Sequence, residues 1–124
     1  MRKKLIWIVD AEQWPRAYLR GLLIERGLDA VGFIDLPGAL SELRNPRSVK
    51  PHLIVIELRG LTPAEDEIEA LILAGIPLIG IAGAMEINEE WVKKVRWSEI
   101  FRRPMTIDEI AGKIKALLAG SSLV

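Results

Sequence analysis

The hydrophobic positions along the chain form short continuous runs that alternate with segments of helical periodicity. Three runs, at residues 4–10, 51–57 and 77–82, are almost wholly apolar, and the first two end in an acidic residue. A continuous apolar run is typical of a strand that is buried on both faces, as in a parallel sheet. A weaker alternating segment at 29–34 and a short one at 100–102 predict two further strands.

Helices are predicted between these strands and after the last one. The first carries leucines at three- and four-residue steps, and Gly27 stands where its C-terminus is expected. Thr62, Asn88 and Thr106 are the expected N-caps of three later helices. The four later helices are expected at residues 37–44, 62–74, 88–95 and from 106 onward. Strands that alternate with helices indicate an α/β fold in which a parallel sheet carries helices on both faces.

Composition and charge narrow the possible functions. The chain has 124 residues, of which half are hydrophobic, and this suits one folded domain. We place that domain at residues 1–119 and expect 120–124 to be a frayed terminus or the start of a linker. The 17 basic and 17 acidic residues give no net charge, which argues against direct binding of nucleic acid. The absence of cysteine excludes disulfides and thiolate chemistry.

No segment has the length of a targeting or membrane signal. The first apolar run stops at Asp10, before it reaches the length of a signal peptide, and the later ones are interrupted by glycine and proline. We therefore expect a cytoplasmic protein with no membrane partner. The single histidine, His52, stands at the start of the third strand, and we expect it to be exposed and structural.

Polar residues stand where the predicted strands end. Asp10, with Glu12 two residues later, follows the first strand, Glu57 ends the third and Arg103 follows the fifth. The carboxyl ends of parallel strands meet at one edge of the sheet, where doubly wound folds bind their ligands. The sequence therefore predicts an acidic pocket of Asp10 and Glu12 close to Glu57 and Arg103.

The order of these motifs resembles the receiver domain of two-component response regulators, and the resemblance runs from Lys4 to Leu118. It rests on the sequences LIWIVDAE at 5–12, PHLIVIE at 51–57, PLIGIA at 77–82 and Arg-Pro at 103–104. The resemblance implies a flavodoxin-like, doubly wound (βα)5 fold with a five-stranded parallel sheet in the order 2-1-3-4-5. It also implies a role in phosphorelay signal transduction.

The chain departs from this family at the positions that carry its chemistry. By the resemblance, Glu57 replaces the phosphoacceptor aspartate and Arg103 replaces the lysine of the site. Ala11 replaces the second metal-binding acid. Ala82 and Ile100 replace the switch hydroxyl and the switch aromatic residue.

These departures predict a pseudo-receiver. Phosphoryl transfer to a carboxylate needs a divalent cation, and Mg²⁺ requires several oxygen ligands in near-octahedral geometry. Ala11 removes one ligand, and the extra methylene of Glu57 displaces the acceptor by roughly 1.5 Å. We expect no catalytic residue and no Mg²⁺, and Asp10 and Glu57 are the only candidates should a metal bind. Instead, Glu57 and Arg103, with Asp10 nearby, are predicted to form an internal ion pair.

The sequence thus favours a signalling domain that is not an enzyme and that acts through protein–protein contacts. The expected interface lies on the face of the fourth helix, fifth strand and last helix, where a protein partner or a second copy would bind. Its residues are Trp91, Trp97 and Phe101. Alternatively, the tryptophans point inward. An effector domain could be fused to the chain. Two other functions stay open: a working receiver that is phosphorylated despite its substitutions, and a small flavodoxin-like ligand-binding protein with a sizeable pocket at the strand ends.

Overall fold

The computed structural model describes residues 2–120 and contains a five-stranded, all-parallel sheet in the order β2-β1-β3-β4-β5. The predicted fold class and strand order are therefore confirmed. The strands are β1 (Leu5–Val9), β2 (Asp29–Phe33), β3 (Leu53–Glu57), β4 (Leu78–Ala82) and β5 (Glu99–Arg102). The helices are α1 (Gln13–Glu25), α2 (Leu36–Arg44), α3 (Glu65–Ala74), α4 (Ala84–Ile87), α5 (Glu90–Lys94) and α6 (Ile107–Ala119).

The sheet separates two hydrophobic cores, which explains why its strands are apolar at successive positions. In β1, Ile6 and Ile8 point into the core beneath α1 and α6, whereas Trp7 and Val9 point into the core beneath α2, α3 and α5. β3 divides its side chains in the same way. Because side chains alternate between faces along a strand, a strand buried on both sides needs an apolar residue at every position.

The strand register brings the predicted site residues to one edge of the sheet. Val9 lies beside Ile56, so the next residues on the two strands, Asp10 and Glu57, emerge side by side. Glu57 in turn lies beside Ile81 of β4. The carboxyl ends of β1, β3 and β4 therefore share one rim.

The segment after β4 differs from the prediction of one helix over 88–95. It forms two short helices, and Asn88 is the C-cap of α4 instead of an N-cap, with its side-chain amide donating to the carbonyl of Ala84 at 3.1 Å. The next residue, Glu89, is extended and is the N-cap of α5. α4 begins at Ala84, earlier than the pattern of apolar residues suggests. The Glu86 side chain accepts the Gly83 N–H at 2.7 Å and so stabilises its first turn.

The third helix begins later than predicted. α3 starts at Glu65, and Thr62 lies exposed outside it. Its first turn is closed by Glu67, whose carboxylate accepts the backbone N–H of Ala64 at 2.7 Å. The acidic side chain three residues into the helix therefore selects the start, and Thr62 does not cap it.

Only part of the expected interface is available at the surface. Phe101 is buried in the core beneath α1 and α6, with 2% of its surface exposed, so its place in an interface was a wrong prediction. Trp91 and Trp97 are partly buried and pack edge to face, with ring centroids 6.1 Å apart, against the opposite core. Trp97 covers Gly80, where an added Cβ would lie 3.4 Å from its ring.

Gly120 follows α6 as its C-cap, and the rest of the predicted terminal segment, residues 121–124, lies outside the described residues. Within residues 2–120, no helix combines the length and the apolar character needed to cross a bilayer.

Candidate functional site

Asp10 is a buried carboxylate at the carboxyl end of β1. Only 8% of its surface is exposed, and its Oδ1 accepts the backbone N–H of Glu12 at 2.9 Å. Burial raises the pKa of Asp10 above its ordinary value near 3.8, although this hydrogen bond and the positive charges of Arg59 and Arg16 act in the opposite direction. Arg16 of α1 donates to the backbone carbonyl of Asp10 at 2.7 Å and so holds the strand end in place.

Glu57 is the second buried acid of the rim, and it is ion-paired with Arg103 as the sequence analysis predicted. One carboxylate oxygen of Glu57 faces the Arg103 guanidinium, and the other accepts the backbone N–H of Arg59 at 3.0 Å. Both oxygens therefore have partners within the protein. The Arg103 side chain retains 29% exposure at the rim, and its backbone N–H extends the sheet by donating to Ala82 at 2.9 Å.

Arg59 completes the charged rim, and the sequence analysis did not identify it. Its guanidinium lies 2.5 Å from Glu12, and both side chains are about half exposed. Arg59 thus contacts Glu57 through its backbone and Glu12 through its side chain. A basic residue two positions after the end of β3 was visible in the sequence, but no pattern indicated that it would reach back to the loop after β1.

Ala11 and Ala82, which differ from a receiver, lie at this rim, whereas Ile100 does not. Ala82 is fully buried and offers no hydroxyl, and Ala11 is exposed and offers no carboxylate. Ile100 is partly buried and packs against the core beneath α2, α3 and α5, away from the rim. Within the described residues, no group of three or more acidic, histidine or cysteine side chains is placed to hold a metal ion.

His52 is exposed at the start of β3 and accepts the N–H of Leu5 at 3.0 Å through its Nδ1. It joins the amino ends of β1 and β3, at the end of the sheet opposite the charged rim. The expectation of an exposed structural histidine is therefore confirmed.

A cavity of about 330 Å³ opens beside the charged rim, between the N-terminal turns of α1 and α6. Its lining combines the three acids and the two arginines of the rim with apolar side chains of α1, β4 and the start of α6. Trp14, with 69% of its surface exposed, stands at its edge and stacks on Tyr18. A larger cavity of about 600 Å³ lies at the other end of β4, beside Pro77 and Trp97, and contains none of the rim acids.

Comparisons with known proteins support the fold. No family model matches the chain, and no curated protein matches it significantly. The CheY-like response regulator receiver domain protein from Methanospirillum hungatei JF-1 is similar in structure, with a TM-score of 0.72 and 17% identity over 95% of each chain. The chemotaxis response regulator CheY4 of Vibrio cholerae gives a TM-score of 0.74 at 11% identity, covering 94% of this chain and 99% of that one.

The same fold also occurs in a structure described as an adenylate cyclase from Rhodopirellula baltica. Its TM-score is 0.73 at 17% identity, covering 93% of this chain and 87% of that one. At these identities the likeness concerns the fold alone, because one fold serves many functions. The chain therefore has the flavodoxin-like fold of response regulator receiver domains.

Proposed function

We propose that this chain is a pseudo-receiver: a signalling domain of the two-component type that is not phosphorylated, is not an enzyme and acts through protein–protein contacts. The observation that supports this most directly is the ion pair between Glu57 and Arg103. It occupies the place at which the carboxylate of a working receiver would attack a phosphoryl group.

The geometry of Glu57 opposes that reaction in two ways. A nucleophilic carboxylate oxygen must be free and aligned with the phosphorus, and a misplacement of about 1 Å can cost roughly a hundredfold in rate. One oxygen of Glu57 faces Arg103, and the other accepts the N–H of Arg59. Attack would require breaking one of these contacts, although only 9% of the surface of Glu57 is exposed.

The cation that phosphoryl transfer requires also lacks suitable ligands. Mg²⁺ binds through carboxylates in near-octahedral geometry and neutralises the charge that develops on the phosphoryl oxygens. Here Arg103 already neutralises Glu57, Arg59 neutralises Glu12, and Ala11 adds no carboxylate. Asp10 is left as the single acid of the rim without an ion pair among residues 2–120, which is a weak basis for a magnesium site.

Contacts with another protein would then carry the signal, and the face formed by α5, β5 and α6 is the proposed surface. The basic side chains of this face are Lys93, Arg96, Arg102 and Lys113. Lys93 pairs with Glu90 and Lys113 with Glu99, whereas Arg96 and Arg102 have no acidic partner among residues 2–120. These two arginines suit an acidic partner or an acidic face of a second copy. Trp91 and Trp97 support the face from beneath and contribute only their exposed edges.

The decisive experiment is incubation with acetyl phosphate and Mg²⁺, followed by intact mass measurement. We expect no mass increase. A matched positive control restores the receiver residues in one variant, Ala11→Asp/Glu57→Asp/Ala82→Thr/Arg103→Lys, which should bind Mg²⁺ and gain one phosphoryl group. A stoichiometric adduct on Glu57 of the unaltered chain would refute the proposal.

The contact surface is tested separately by light scattering across a concentration series. Self-association that the double substitution Arg96→Glu/Arg102→Glu abolishes would locate a homodimer on this face. Association that survives this change would place the interface elsewhere.

A further inference from the structure

We propose that the cavity beside the charged rim binds a small organic cation, a primary amine that carries a compact aromatic or aliphatic body. This goes beyond the proposed function, because a pseudo-receiver that acts through protein–protein contacts does not require a ligand in this cavity. Three features support it: a carboxylate that lines the cavity and has no ion-pair partner among residues 2–120, apolar side chains in the same lining, and a suitable volume.

Asp10 is the only acid of the rim without a cationic partner among residues 2–120. Glu57 is paired with Arg103 and Glu12 with Arg59, whereas Asp10 receives one backbone hydrogen bond on Oδ1 and none on Oδ2. Its side chain lines the cavity and is more than nine-tenths buried. No buried side-chain oxygen or nitrogen among residues 2–120 lacks a partner, so Oδ2 is open to the cavity, where the ammonium group of a ligand would donate to it.

The balance of charge around the cavity points the same way. Three carboxylates and two guanidinium groups line it, so an anionic ligand would face an excess negative charge. The two arginines have acidic partners and are not free to bind a phosphate or carboxylate.

The rest of the cavity lining is apolar and suits an ammonium group with a hydrophobic body. It includes Leu19, Ile81, Met105, Ile107 and Ile110. The volume of about 330 Å³ is near the lower end of the range of about 300–1,000 Å³ for ligand pockets. Trp14 at the edge offers an exposed aromatic face on which a ring could stack.

An inorganic cation fits the site less well. A metal ion requires several oxygen ligands, and Asp10 is the single carboxylate free to supply them. An ammonium group needs only one carboxylate, and its hydrocarbon body gains from the apolar wall, which a hydrated metal ion does not.

The test compares two probes of the same shape by ligand-observed fluorine NMR: para-fluorophenethylamine and the corresponding alcohol, para-fluorophenethanol. A charge-assisted hydrogen bond in a partly buried site favours the amine by roughly tenfold or more in Kd. Asp10→Asn should abolish that preference, because it keeps the acceptor for Glu12 but removes the charge. The control Asp66→Asn, an equivalent change on the exposed surface of α3, should leave it unchanged.

A second variant tests the location independently of charge. Met105→Trp fills the cavity from the apolar side, so both probes should be lost. The proposal is overturned if neither probe binds at millimolar concentration, if amine and alcohol bind equally, or if Asp10→Asn retains the preference. Displacement of the amine by equimolar Mg²⁺ would also overturn it, because the site would then bind inorganic cations. The phosphorylation test uses acetyl phosphate and Mg²⁺ without either probe, so the two proposals fail on different results: a mass increase refutes the proposed function, and loss of the amine preference in the unaltered chain refutes this inference.

Discussion

Replacement of Arg103 by methionine measures how far the Glu57–Arg103 ion pair stabilises the rim. Methionine keeps much of the hydrocarbon of Arg103 but removes its charge, and it leaves Glu57 as a carboxylate with 8% of its side chain exposed. Removal of one partner from a fully buried ion pair costs about 3–5 kcal/mol, whereas an exposed pair contributes about 0–1 kcal/mol.

The magnitude expected here lies between these limits. Arg103 is 29% exposed, so water reaches part of the pair, and Glu57 keeps its hydrogen bond from the backbone of Arg59. We therefore expect a loss of about 2 kcal/mol in the free energy of unfolding. At about 4 °C per kcal/mol for a domain of this size, Tm should fall by about 8 °C.

A double-mutant cycle with Glu57→Gln separates the charge effect from lost packing. Urea unfolding followed by tryptophan fluorescence gives the free energy for the two single variants, the double variant and the unaltered chain, provided that the m-value stays constant. Once Arg103 is methionine, Glu57→Gln should restore stability, because it removes the uncompensated charge. The coupling energy should be about 1 kcal/mol or more.

The matched control is Arg102→Met, which alters the exposed neighbouring arginine of β5 and should change stability by less than about 0.5 kcal/mol. The reasoning is refuted if Arg103→Met costs no more than this control. It is equally refuted if Glu57→Gln destabilises the Arg103→Met variant further, since an unpaired Glu57 carboxylate would then not be destabilising.

Three further predictions concern other parts of the fold. Asp10→Asn should be more stable than the unaltered chain at pH 7, because burial raises the pKa of Asp10 in the folded state. The protonated carboxyl stabilises the fold below its ordinary pKa near 3.8, and this stabilisation is lost as pH rises through the folded-state pKa. A stability advantage of Asp10→Asn that persists unchanged at pH 3 in urea titrations would contradict this. Gly80→Ala should cost about 1–3 kcal/mol, because its new methyl group would lie 3.1 Å from the fully buried Leu58, and an unchanged urea midpoint would show that the core yields. Thr106→Ala should cost about 1 kcal/mol by removing the cap that accepts the Glu109 N–H at 3.0 Å, whereas Thr62→Ala, outside α3, should have little effect in the same assay.

The sheet was predictable because its requirements are local. β1 and β3 are buried on both faces, so each must be apolar at every position, and that demand is visible as an uninterrupted run in the sequence. The apolar runs at 4–10 and 51–57 have equal length, and aligning their ends places Asp10 beside Glu57, in agreement with the register of β1 and β3. The α4–α5 segment was not predictable in the same way, because side-chain caps from Glu86 and Asn88 outweigh its apolar pattern.

Only half of the charged rim was predictable, because some of its residues stand at strand ends and the others stand in loops far apart in the sequence. Glu57 and Arg103 stand at strand ends, and the sheet fixes where strand ends lie. Arg59 and Glu12 stand in loops 47 residues apart, and only the folded loops show that their side chains meet. That contact bears on the proposed ligand site, because it pairs Arg59, one of the two arginines whose charge acts on Asp10, with Glu12. Under that proposal, Asp10 is the acid of the rim that remains to bind a cationic ligand.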